Sequence, residues 1–202
     1  MISVTNPEVF GWKAAIRGMR NPMNSWDKSD SFEEDGDFII GPNDMKLMWQ
    51  LIRSGAEHRK FLRMIHAQMD VTAPLYWWKE FDTYKVGTVA NSCSTMHKIH
   101  SKVFILDDFS HEHLTGKSLE VLQSTIDRLN FCREVYLKDK DKDLWWQMIQ
   151  LLPSSYNQKR TIDLNYEVCR IIIHQRTGHK LDEWNQFVDA LKNLDYMGDL
   201  WQ

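Results

Sequence analysis

The sequence predicts a single α+β domain spanning residues 1–202, and three observations point that way. One segment, Ile65 to Ala73, alternates apolar and polar residues with period two, the mark of a half-buried strand. Several longer segments repeat their apolar residues at helical spacing. The composition is that of an ordinary globular chain of 202 residues, 43% apolar and 26% charged, long enough to bury a core without disulfides or metals.

Taken in order, Ile2 to Val4 reads as a short strand, and Pro7 suits the first turn of a helix running to Met19. Residues 21–43 are polar, acidic and dotted with Gly and Pro, which predicts a long loop or lid with one strand at Phe38–Ile40. Asn43 or Asp44 is placed to cap the next helix, which Gly55 ends. Pro74 stops the Ile65–Ala73 strand and starts a helix at Leu75. The run from Thr88 to Ser101 is too polar for a core and too long for a tight turn. Ser118–Leu137 and Asp143–Leu152 follow as helices, with Pro153 ending the second. Thr161–Arg176 reads as a helix with a strand-like start, and Leu181–Leu194 as the closing amphipathic helix.

A formal net charge of −3 argues against general nucleic-acid binding, which needs clustered Lys and Arg, but leaves room for a small anionic ligand. No segment approaches the ~20 apolar residues of a membrane span, and the N-terminus lacks a basic stretch followed by an apolar run, so neither an anchor nor a signal peptide is expected. Cys93, Cys132 and Cys169 are odd in number and widely spaced, which reads as reduced thiols in a cytoplasmic setting. Phosphate-loop, dinucleotide-fold, serine-hydrolase and zinc-protease signatures are lacking. His97 and His100, and the cluster His111–Glu112–His113, are thin as metal sites because no further ligands stand at suitable spacing. Nine tryptophans, four of them paired as Trp77–Trp78 and Trp145–Trp146, serve either an aromatic core or a stacking wall for a planar ligand.

The densest chemistry lies between Pro74 and His97. Lys85 could meet a phosphate, and Thr88, Asn91, Ser92, Ser94 and Thr95 could supply neutral hydrogen bonds to a phosphate or a base edge. Glu80 could hold a ribose hydroxyl or a base N–H. Cys93 could act as a nucleophile only beside a base; a small buried residue is the commoner role.

This segment resembles the flavin-dependent thymidylate synthases. That family has a strand ending in Ala-Pro, a helix, and the signature R-H-R-x-x-S-x-x-x-x-S-x-R. Ala73-Pro74 stands at the matching distance, and the signature falls on Thr83 to Thr95. Thr83, Tyr84 and Lys85 stand at the Arg-His-Arg, Thr88 and Cys93 at the serines, and Thr95 at the last Arg. Downstream, Leu152-Pro153, Asn165 and Arg176 fall at compatible spacing, while Ile149 stands where an Arg is expected. The resemblance covers about Ser54 to Leu194. It implies a small antiparallel sheet packed with a helical bundle, and a homo-oligomer, a tetramer by analogy. It also implies FAD, folate as a second cofactor, and C5 one-carbon transfer, a methyltransferase reaction, on a deoxyuridine or related pyrimidine nucleotide.

Lys85, Thr88, Asn165 and Arg176 would then hold the flavin, with Glu80, Asn91, Ser92, Cys93, Ser94 and Thr95 on the nucleotide side. No catalytic side chain is carried over. Arg63, Lys79 and Arg160 are candidates to replace the missing cations. A divergent enzyme and a catalytically inactive protein that binds, senses or sequesters a nucleotide are both consistent with these residues.

Overall fold

The computed structural model describes residues 2–201. It is an α+β fold with a small antiparallel sheet beside helices. Four strands, β1 (Ser3–Phe10), β4 (His66–Pro74), β5 (Thr88–Ser92) and β6 (Asn157–Asn165), lie in the order β1-β4-β6-β5. A separate hairpin pairs β2 (Phe32–Glu34) with β3 (Asp37–Ile39), Phe32 facing Ile39 and Glu34 facing Asp37. Contacts within the chain divide it into two compact units. One holds Asp70–Thr83 and Ala90–Thr161, with the chain up to Ser3; the other holds Val4–Met69, Tyr84–Val89 and everything from Ile162 onward.

The first unit is built on α4 (Lys117–Asp139) and α5 (Lys142–Leu151). Leu122, Ile126, Leu129 and Cys132 of α4 meet Met148 of α5, and Phe104, Phe109 and Ile99 complete this core. The carboxylate of Asp141 caps α5 by accepting from the Asp143 N–H at 2.8 Å, so this start is set by local side-chain chemistry. The short helix α3 (Leu75–Phe81) buries Trp77, Trp78 and Phe81. Their rings meet at 4.8–5.2 Å between centroids, so the Trp77–Trp78 pair is core rather than a wall for a ligand.

The second unit holds α1 (Trp12–Arg20), α2 (Pro42–Arg53), α6 (Tyr166–Arg176), α7 (Asp182–Lys192) and α8 (Met197–Leu200). Trp12 stands edge-on to Tyr166 and Tyr196, at 5.1 and 5.3 Å. Gly11 precedes α1 with φ 100°, and a Cβ there would lie 2.1 Å from the Met64 carbonyl oxygen, so only glycine fits the turn.

Several expectations are corrected. Pro7 lies inside β1, where the outer position in the sheet order tolerates its missing N–H, and the helix begins only at Trp12. The 21–43 segment is not one loop. It holds two 3₁₀ turns and the β2–β3 hairpin, whose Asp35-Gly36 turn takes φ of 52° and 92°. Neither Asn43 nor Asp44 caps α2: Gly41 holds the cap position and Pro42 opens the helix. Thr88–Ser92 is a strand, and residues 157–165 are a strand before α6 begins at Tyr166. No helix among the described residues is long and apolar enough to cross a membrane.

Asp44 is fully buried and ties the 29–31 stretch down. Its Oδ1 accepts from Arg20 Nε at 2.6 Å, and Oδ2 from the Ser29 and Ser31 hydroxyls, each at 2.7 Å. Burial raises its pKa, but the Ser31, Ser29 and Arg20 contacts outweigh that and hold it below the ordinary 3.8. Because the folded value is depressed, this contribution to stability is present above pH 3.8 and is lost as pH falls through the folded value. Asp44→Ala would leave Arg20 buried without its carboxylate and cost about 3–5 kcal/mol in denaturant unfolding. The wild type should lose stability in acid more steeply than the variant. Equal stability of the two at neutral pH would contradict this role.

Candidate functional site

Within the first unit a cavity of about 540 Å³ opens beside β6 and the chain that follows β5. Three groups of residues line it: Cys93, Ser94 and Thr95; Lys98, Ser101 and Lys102; and Tyr156, Asn157, Gln158 and Lys159, with Thr72, Asp107 and Asp108 between them. Gln158 organises the wall. Its side chain is buried at an inward position of β6, where Nε2 donates to the Cys93 carbonyl at 2.7 Å and Oε1 accepts from Arg160 Nε at 3.0 Å. The Cys93 N–H donates to the Lys159 carbonyl at 2.9 Å, which fixes the 93–95 backbone against β6. Trp78 donates its indole N–H to the Gln158 carbonyl at 2.9 Å, and the Arg160 guanidinium stacks over the Trp78 ring at 4.2 Å. Arg160 also reaches Asp82 at 2.7 Å.

The electrostatics are mildly cationic: three lysines line the cavity against two aspartates. Lys102 is paired with Asp108, and that hydrogen bond raises its pKa. Lys159 pairs with Asp70 at 2.9 Å, which raises its pKa likewise. Both therefore stay ammonium at neutral pH. Burial pushes the Tyr156 phenol up, so it stays a neutral O–H donor. Hydroxyls, ammonium groups, a phenol and carboxamides in one concave site suit an anionic, hydrogen-bonding small molecule.

Of the residues singled out for a nucleotide, Cys93, Ser94 and Thr95 line this cavity. Asn91 and Ser92 are exposed on β5 and Glu80 is half-buried on α3; these three are not among its lining residues. Lys98, Ser101, Lys102, Tyr156, Asn157 and Lys159 were missed. No local spacing marks them: Lys98 to Lys102 follow the signature, and residues 156–159 fall between the helix that Pro153 ends and the segment that starts at Thr161. Lys79 and Arg63 are exposed and Arg160 is stacked on Trp78, and none of the three lines the cavity.

The flavin candidates lie in the second unit. Asn165 caps α6, its side-chain oxygen accepting from the Val168 N–H at 3.0 Å. Its own N–H donates to the Gly87 carbonyl at 3.3 Å, and a Cβ on Gly87 would lie 2.3 Å from its amide nitrogen. Arg176 lies over the Trp184 ring at 4.4 Å, donates from Nε to the Tyr84 hydroxyl at 2.9 Å, and meets His179 at 3.2 Å. Tyr84 in turn donates to Gln175 at 2.9 Å. Lys85 is exposed, and the Thr88 hydroxyl is buried without a hydrogen-bond partner. Cys93 is exposed, Cys132 and Cys169 are buried, and none of the three is in a disulfide. Among the described residues no group of three or more His, Cys, Asp or Glu is placed to hold a metal ion.

Solved structures with the same arrangement include thymidylate synthase X from Helicobacter pylori with FAD and dUMP. That match is 17% identical, covers 100% of this chain and 98% of that one, and has a TM-score of 0.71. The chain has the fold of a flavin-dependent thymidylate synthase. A second structure of the Helicobacter pylori enzyme complexed with FAD and dUMP is 14% identical, covers 98% and 96%, and scores 0.69. The UMP/dUMP methylase PolB from Streptomyces cacaoi bound with 5-Br dUMP is 13% identical, covers 95% and 88%, and scores 0.60. No protein family's sequence model matches the chain, and no curated protein matches it by sequence.

On this synthase-like fold the first unit's cavity depends on Gln158. Gln158→Ala removes the partner of the Cys93 carbonyl and one of the partners of Arg160, and should cost about 1–3 kcal/mol in denaturant unfolding. An unchanged unfolding midpoint would show that Gln158 does not organise this wall.

Proposed function

We propose that the chain binds a pyrimidine nucleotide, and that the cavity lined by Cys93–Thr95, Lys98, Lys102 and Tyr156–Lys159 receives it. The observation that carries the reading is the pairing in one site of ammonium groups with hydroxyls, for a phosphate, and of carboxamides with a phenol, for a base edge. Ser94, Thr95 and Lys98 would take the phosphate. Asn157, whose carbonyl oxygen already accepts from Ser110 at 2.9 Å, would meet the imide edge of a uracil. Neighbours of the same fold hold dUMP or 5-Br dUMP, which supports a pyrimidine monophosphate.

The C5 one-carbon transfer with FAD and folate is the second reading, in a divergent enzyme that assembles as a tetramer in the cytoplasm. Two observations favour it: neighbours of the same fold hold FAD, and the Thr88 hydroxyl is buried without a partner, a group that a bound ligand would satisfy. Two observations oppose a flavin held in the family's manner. The Asn165 carbonyl oxygen is spent on capping α6, and the Arg176 guanidinium is closed in by Tyr84, His179 and Trp184. As they stand these residues do not make a flavin cradle, and no step is derived through the cofactor. Without that step the chain is a binding protein that senses or sequesters a nucleotide.

Calorimetric titration with dUMP and with deoxyuridine separates these readings when joined to one spectrum. We expect dUMP to bind at least about tenfold more tightly than deoxyuridine, because only dUMP offers charge-assisted bonds to lysine. Lys98→Ala should remove most of that difference. Equal affinity for both, or no binding of either at millimolar concentration, would overturn the assignment. Protein that retains visible flavin absorbance after excess FAD is removed would favour the enzyme; colourless protein that still binds dUMP would favour the binding protein.

A further inference from the structure

A second cavity, of about 360 Å³, lies in the second unit and shares no lining residue with the first. Its floor is Ile16 of α1; its walls include Trp26 from a 3₁₀ turn and Phe32 and Phe38 from the β2–β3 hairpin. Lys13 and Arg17 stand one helical turn apart along it, with Arg20 a further step on.

The cations are not equivalent. Arg20 is buried and committed to Asp44 at 2.6 Å and to the Ser25 carbonyl at 3.1 Å. Lys13 is paired with Glu33 at 3.3 Å. Arg17 is exposed and makes no ion pair or side-chain hydrogen bond among the described residues. Trp26 and Phe32 are each 50% exposed, so large aromatic faces are left uncovered beside that guanidinium.

The walls are nonetheless held in place. The Trp26 indole N–H donates to Asn21 Oδ1 at 2.8 Å, which fixes the ring although half of it is open. The Ser29 and Ser31 hydroxyls, also in the lining, are tied to buried Asp44. Fixing the half-exposed Trp26 ring in this way costs conformational entropy that its own packing does not return. A preformed, aromatic-walled pocket with one uncommitted guanidinium matches a small planar ring that carries a negative group.

We propose that this pocket binds a planar aromatic anion, its ring between Trp26 and Phe32 and its charge on Arg17. This site is independent of the nucleotide reading. The test uses 8-anilinonaphthalene-1-sulfonate, an anion whose planar naphthalene carries the sulfonate and which fluoresces when shielded from water, and N-phenyl-1-naphthylamine, the same rings without the sulfonate. The full chain should bind the sulfonate at one saturable site at micromolar concentration. Arg17→Gln, a surface change on α1, should weaken it about tenfold or more while leaving the uncharged probe unaffected. Trp26→Ala should weaken both probes, with circular dichroism confirming an unchanged fold; if that variant unfolds, Arg17→Gln alone decides. Sulfonate binding that is insensitive to Arg17→Gln, or that does not saturate at one site, overturns the proposal.

Discussion

A buried glutamine holds the candidate site together. Gln158 faces inward on β6, where an apolar residue would be the ordinary choice, and both ends of its amide are used. A polar side chain in that place is costly unless satisfied, and satisfied it specifies one arrangement. It fixes the Cys93 carbonyl, orients Arg160 across Trp78, and through its own carbonyl takes the Trp78 indole. The cavity wall is therefore a hydrogen-bonded lattice rather than a packed apolar surface. That explains how a stretch of Ser, Cys and Thr can lie exposed and still be well placed.

The charge pattern then limits what the site can do. At the signature positions Thr83, Tyr84 and Thr95 carry no cation. Tyr84 has taken up Arg176 within the second unit. Positive charge lining the first unit's cavity comes instead from Lys98, Lys102 and Lys159, two of them paired with aspartates. Lysine is a compact point charge and does not reproduce the bidentate grip of arginine on a phosphate. An anion should be held here, but less tightly than by three uncommitted guanidinium groups.

Where the pattern was periodic, the sequence was legible. The Ile65–Ala73 alternation became β4, with Ala67, Met69, Val71 and Ala73 buried, and α4, α5 and α7 lie where their apolar spacing put them. The misses share a cause. β6 was hidden because buried Gln158 breaks the apolar alternation, and β5 because it buries neither face. Of the β2–β3 hairpin, the strand expected at Phe38–Ile40 is β3, one residue earlier, while β2 was hidden because it is only three residues long and two of them are glutamates. Among the residues that line the cavity, Cys93–Thr95 were singled out because a signature could be laid over them. Tyr156 and Lys98 were not, because a cavity is made by chain segments distant in sequence, and spacing does not show that.

A crystal structure of the chain grown with dUMP would place the pyrimidine nucleotide proposed for the Lys98–Tyr156 cavity. The phosphate should lie within hydrogen-bonding distance of Lys98 and of the Ser94 or Thr95 hydroxyl, with the uracil edge facing Asn157. A nucleotide found only outside this cavity, with these residues bare, would contradict that proposal.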